Sequence, residues 1–149
     1  MESLPQANLK IRLNSTGIQE VFDIFRKKYV KLNPEEEVRQ NFLHYLVNNK
    51  GYPISLISVE KGLVVNELNK RFDAVVYRNT GNPLVLLEFK SPTIKIKQSV
   101  FEQISAYNII LKVDYLIVSN GNSHYCCKVD YKLPSIEFIK GIPHWDEIK

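Results

Sequence analysis

Apolar residues recur along this chain at two different spacings, and the changes between them predict the order of its elements. Four consecutive apolar residues, Leu84 to Leu87, follow the Gly81-Asn82-Pro83 turn and predict a short strand covered on both faces. Ahead of it, Arg71-Phe72-Asp73-Ala74-Val75-Val76-Tyr77-Arg78 is β-branched and aromatic, and the short Arg78-to-Pro83 connection predicts a hairpin between the two. Behind it, Val100, Phe101, Ile104, Tyr107, Ile109, Ile110 and Leu111 recur at helical spacing, so Gln98 to Leu111 is predicted as a helix. Asn33-Pro34-Glu35-Glu36-Glu37 carries an N-cap, a proline at the first helical position and acids in the first turn. With Val38, Phe42, Leu43, Tyr45 and Leu46 behind it, the segment predicts a helix from Pro34 to Asn49.

Lys50-Gly51-Tyr52-Pro53 stops that helix, and Leu56 to Val65 reads as one or two short strands. Tyr115 to Val118 reads as a further buried strand. Asn120-Gly121 then turns the chain into Tyr125 to Val129, and Ile136 to Ile139 is expected to pair back on it. Before Asn33 the pattern is mixed. Ile18, Val21, Phe22, Phe25 and Tyr29 fit a helical face, whereas Leu9, Ile11 and Leu13 alternate and Asn14-Ser15-Thr16-Gly17 is a turn, which tips the expectation to a hairpin. The sum is an α/β chain with an α-β-β-β-α-β core, a mixed sheet flanked by helices, and strands added at both ends.

Composition narrows the class. The 149 residues are 44% hydrophobic, with no linker, repeat or low-complexity tract, so one domain over 1–149 is expected, its core at about 34–125. The N-terminus lacks the basic and apolar regions of a signal peptide, and no apolar run reaches membrane length; a cytoplasmic protein without a membrane partner is expected. Cys126 and Cys127 are adjacent, so a disulfide between them would be strained. His44, His124 and His144 are too scattered for a zinc triad. A net charge of +4 permits a phosphate backbone as partner. Arg26-Lys27-Lys28 with Lys31 reads as a solvated face, whereas Lys95 and Lys97 lie in the loop leaving the Leu84 strand.

The chemistry gathers at the end of that strand. Alternation puts Glu88 and Lys90 on one face and Phe89 in the core, and Asp73 enters the hairpin where Glu88 leaves it. Charges at the tip of a buried strand need pairing, hydrogen bonds or a cation to offset lost hydration. Two carboxylates at one point suit Mg²⁺ or Mn²⁺. Acid-x-Lys alone is a common pattern, repeated at Asp130-Tyr131-Lys132, with Asp114 upstream, and at Glu147-Ile148-Lys149. A surface ion pair is therefore the competing reading of Glu88 and Lys90. Gln103 and Tyr107, at i and i+4 on the next helix, share one of its faces.

Asp73, then Glu88-x-Lys90 closing a hydrophobic strand, then Gln103-x-x-x-Tyr107 on the following helix resembles the PD-(D/E)xK nuclease superfamily. The stretch from about Pro34 to Tyr125 resembles the N-terminal endonuclease domain of type I restriction enzyme R subunits. The resemblance implies a restriction-endonuclease-like fold and a Mg²⁺- or Mn²⁺-dependent endonuclease acting on DNA. It makes Asp73 and Glu88 metal ligands, with the Phe89 backbone carbonyl as a third, and Lys90 the group that acts on the attacking water or the phosphate. Gln103 and Tyr107 become supporting or DNA-contacting residues, and the loop position of Lys95 and Lys97, directly beyond the proposed site, adds them as candidate DNA contacts. The family also carries a glutamate on the preceding helix, assigned here to Glu36 and, next, to Glu35; helix capping and the helix dipole are the competing explanation of both. Phe72 stands where the motif's name has proline, a position without a mechanistic role. The chain has no Gly-x-x-x-x-Gly-Lys-[Ser/Thr] loop, so it is expected to be either a free-standing nuclease or one that works beside a separate motor or restriction-modification subunit. The alternative is a module that grips DNA or a protein without cutting.

Overall fold

A computed structural model describes residues 4–65, 68–133 and 135–149, and the side chains of all of these except 61–71 and 106–110. The chain begins with a small antiparallel sheet of β1 (Ile11–Leu13), β2 (Gln19–Asp23) and β3 (Lys28–Lys31). The expected hairpin is thus a three-stranded meander. Its second turn is local: the Asp23 carboxylate accepts from the Phe25 N–H at 2.8 Å, and Lys27 takes φ 56°. Helix α1 (Pro34–Lys50) follows, capped as the sequence indicates, with Asn33 Oδ1 accepting from the Glu36 N–H at 2.8 Å and Gly51 in the left-handed region at φ 74°.

The main sheet contains β4 (Ile57–Val65), β5 (Leu68–Tyr77), β6 (Pro83–Phe89), β7 (Tyr115–Ser119), β8 (His124–Asp130) and β9 (Ser135–Ile139), in that spatial order. Every neighbouring pair is antiparallel except β6 and β7, which run parallel because helix α2 (Gln98–Leu111) crosses between them. The α-β-β-β-α-β order is therefore α1-β4-β5-β6-α2-β7. A short C-terminal helix, α3 (Trp145–Ile148), closes the chain.

Each face of the sheet has its own core. Against α1, Phe42, Leu43 and Leu46 pack on Ala74, Val76, Val85, Leu87, Phe89 and Ile117, joined by Tyr52 and Trp145. Against α2, Phe101 and Ile104 pack on Phe72, Val75, Leu86, Leu116 and Val118. Both faces of β6 are covered, which is why Leu84 to Leu87 is an unbroken apolar run. Cys126 lies in the first core and Cys127 in the second, as alternation along a strand requires. Among the described residues no helix is long and apolar enough to cross a membrane.

Candidate active site

The β5–β6 hairpin brings the acidic motif residues together. Its last pair, Ala74 with Leu87, sets Asp73 opposite Glu88, and Asp73 Oδ2 accepts from the Phe89 N–H at 2.7 Å. Phe89 buries its ring in the α1-side core, a wedge that holds Glu88 and Lys90 at the strand end. Lys90 Nζ donates to Glu88 Oε1 at 3.2 Å. The Glu88 carboxyl is pushed up to about 7, first by burial and then by the Asp73 charge, against the pull of Lys90. The two acids thus oppose each other electrostatically.

Helix α1 supplies a third acid. The Glu35 carboxyl is also raised, first by desolvation and next by Asp73, while Lys90 and Arg39 draw it down. Glu35 therefore stands within the field of the hairpin acids. Glu36, the residue the sequence puts first, turns elsewhere. It is 7% exposed and accepts from Arg26 Nη2 at 2.6 Å, Arg39 Nη1 at 3.2 Å and Gln40 Nε2 at 3.3 Å. Consecutive helical residues point about 100° apart, so the two carboxylates meet different partners although both line one cleft. Nor does the Glu36 carboxylate complete a capping box, because the two guanidiniums hold it.

Two site residues escape the sequence reading. Arg39, its side chain 6% exposed, bridges Glu36 and Glu60 through Nη1 and reaches Asp73 Oδ1 through Nη2, each at 3.2 Å. Glu60 also meets Arg26 Nη1 at 3.2 Å, and Arg26 is paired with Asp23. The pairs Val59–Ala74 and Lys61–Phe72 set Glu60 opposite Asp73, and Glu60 adopts φ 54°. Left-handed backbone at a non-glycine residue is strained, and such strain gathers at functional sites. Alternation fails there too: Phe72 belongs to the α2-side core and Ala74 to the α1-side core, two residues apart. The irregular pleat lets Asp73 reach Arg39 on α1 while it faces Glu88. The signals were Arg39 lying four residues after Glu35, and an acid inside an apolar strand.

A cleft of about 450 Å³ opens beside this network, with Glu35, Glu36, Arg39, Glu60 and Ser91 among its walls. Among the described residues no three acidic, imidazole or thiol groups close around one point. The donor set fits Mg²⁺ in a different way, through one or two carboxylates with water and substrate oxygens completing the shell. The mutual repulsion of Asp73 and Glu88 is what a divalent cation would relieve.

The remaining motif residues are exposed or have side chains outside the described residues. Lys95 and Lys97 are exposed in the loop between β6 and α2, which is pinned by Asn120 Nδ2 donating to the Ile94 carbonyl at 2.8 Å. Gln103 is exposed on α2, and the Tyr107 side chain lies outside the described residues. The repeated acid pattern does other work: Asp114 pairs with Arg78, and the Asp130 carboxylate accepts from the Lys132 and Leu133 N–H groups in a turn.

Glu88 sets a pH dependence. A carboxyl raised in the folded state above its ordinary 4.5 favours folding below that value, and the contribution is lost as pH rises through about 7. In EDTA the unfolding free energy should fall over this range by on the order of a few kcal/mol more in the wild type than in Glu88→Gln. Urea titrations across pH measure the difference, and parallel curves would remove the raised carboxyl.

A family described as "Type I restriction enzyme R protein N terminus (HSDR_N)" matches residues 34–143. Among solved structures, a fragment described as an HsdR subunit of a type I restriction enzyme from Vibrio vulnificus YJ016 aligns with a TM-score of 0.55 at 18% identity, over 78% of this chain and 24% of that one. The likeness is one of fold, and the chain spans about a quarter of the length of that structure. No curated protein matches the sequence.

Proposed function

Because the chain belongs to the family of type I restriction enzyme R protein N termini, we propose that it is a divalent-metal-dependent endonuclease that hydrolyses DNA phosphodiester bonds. The observation that carries this reading is Asp73 opposite Glu88 at the open end of a buried hairpin, with Lys90 bonded to Glu88. Asp73 and Glu88 would hold Mg²⁺ or Mn²⁺, with the Phe89 carbonyl as a further ligand. Such an ion would supply Lewis-acid stabilisation of phosphate charge and lower the pKa of a bound water. Lys90 acts on the developing negative charge of the phosphate, or holds the attacking water. Glu35, on the α1 side of the cleft, replaces Glu36 as the helix-borne acid of the site. Arg39 keeps Asp73 oriented through Nη2. Lys95 and Lys97 extend positive charge along the loop beyond Lys90, where a DNA backbone leaving the cleft would pass.

The test is incubation of the chain with supercoiled, nicked, linear and single-stranded DNA in Mg²⁺, Mn²⁺ or EDTA. Metal-dependent cutting supports the proposal; DNA retention without turnover supports a binding module instead. Lys90→Ala should keep metal affinity and slow cleavage by roughly a hundredfold, the scale of losing one charge-stabilising group. Equal loss of metal affinity would count against that role. Gln103→Ala and Tyr107→Phe should lower cleavage or DNA affinity while stability moves by less than about 1 kcal/mol. Unchanged activity in both would reduce Gln-x-x-x-Tyr to coincidence.

A further inference from the structure

The β1–β2–β3 sheet lies outside residues 34–143, the stretch that the family match covers, and its two faces differ. Inward, Val21 and Asp23 are fully buried, and Asp23 binds Arg26, which reaches Glu36 on α1. The sheet is therefore braced against the helix that carries Glu35. Outward, the register sets Lys10 beside Phe22 and Tyr29 in one row, and Arg12 beside Glu20 and Lys31 in the next. The Phe22 and Tyr29 rings meet edge to face at 5.3 Å. Lys10 Nζ lies 5.9 Å from the Phe22 centroid, and Arg12 Cζ lies 3.5 Å from that of Tyr29. The Arg12 side chain keeps 52% of its surface exposed, so the side turned away from Tyr29 is open. Three cations share this face with one acid, Glu20, which pairs with Arg12 at 3.0 Å.

Planar rings and a guanidinium laid across a sheet, bordered by lysines, suit an unpaired nucleic acid strand: bases stack on the planar groups and phosphates meet the cations. A duplex hides its base faces and would use only the charge. We propose that the outer face of the β1–β2–β3 sheet binds single-stranded DNA, with the open side of Arg12, seated on Tyr29, taking a base and Lys10 and Lys31 holding phosphates. The choice of DNA rests on the nuclease reading of the cleft.

Fluorescence anisotropy of the full chain in EDTA, with a labelled strand of about 20 nucleotides and the corresponding duplex, separates binding from cutting. The wild type should bind the single strand more tightly. The Lys10→Glu, Lys31→Glu double variant should lose about tenfold or more in affinity, and its log–log salt slope should shrink by about 1.4, two phosphate contacts at about 0.7 each. Glu20→Gln should tighten binding by removing the one acid; a merely structural Arg12–Glu20 pair would lower stability without tightening. Preference for the duplex, or an unchanged affinity in the double variant, would overturn the proposal. So would a double variant that dissociates a dimer and leaves DNA affinity intact, which would mark the face as a contact between copies. Plasmid cleavage is scored separately. Binding that falls in the double variant of a chain that never cuts DNA sinks the nuclease reading and keeps this one; cutting with unaltered strand affinity does the reverse.

Discussion

Asp73→Asn and Glu88→Gln are each expected to lower metal-dependent DNA cleavage by on the order of a thousandfold or more while the chain stays folded. A metal ion contributes several kcal/mol of charge stabilisation at a phosphate, and about 1.4 kcal/mol corresponds to a factor of ten in rate. Each substitution keeps the shape of the side chain and removes the charge that would hold the ion. The fold should tolerate both. Asp73→Asn retains an oxygen for the Phe89 N–H, and Arg39 keeps Glu36 and Glu60 as partners. Glu88→Gln removes a carboxyl whose ionisation burial and Asp73 already oppose, so the metal-free protein should gain stability above about pH 7. Cleavage rates and urea midpoints on the same preparations separate lost chemistry from lost structure. Variants that cut as fast as the wild type would end the assignment.

The two α1 glutamates are expected to respond in opposite ways. Glu36→Ala takes an acid from between two largely buried guanidiniums, Arg26 and Arg39, whose side chains are 13% and 6% exposed. Breaking a buried pair by removing one partner costs about 3–5 kcal/mol, and the lower end applies because Asp23, Glu60 and Asp73 still face the cations. Glu35→Ala leaves no buried charge behind and should cost less than about 1 kcal/mol. Its effect should fall on cleavage, by roughly tenfold or more, since its charge acts on Asp73 at the cleft. Denaturant midpoints and cleavage rates for both variants decide the matter. A stable but inactive Glu36→Ala, beside an active Glu35→Ala, would return Glu36 to the site.

Much of this architecture is legible in the sequence because its signals are local. The Leu84 to Leu87 run, the Asn33 cap and the Gln98 to Leu111 periodicity each correspond to the element they suggest, with bounds matching to within a residue or two. The opposition of Asp73 and Glu88 follows from the short connection of the hairpin. What the sequence hides depends on contacts between distant elements. Glu35 and Glu36 are equivalent as helix-starting acids, and only the placement of Arg26, ten residues upstream of Glu36, and of Arg39 shows which of them is held by guanidiniums. Glu60 sits in what reads as an ordinary strand, and no turn residue signals its positive φ or its place opposite Asp73. The N-terminal segment misleads for a third reason: Phe22, Phe25 and Tyr29 share helical spacing, yet Phe22 and Tyr29 meet as partners across two strands.

The central claim is that Asp73 and Glu88 form a divalent-metal centre, and calorimetric titration of Mn²⁺ into the wild type and the Asp73→Asn, Glu88→Gln double variant at about pH 8 tests it most directly. The expected result is saturable binding by the wild type, displaced by Mg²⁺, and no heat above dilution from the folded double variant. Equal Mn²⁺ affinity in the two proteins would contradict it.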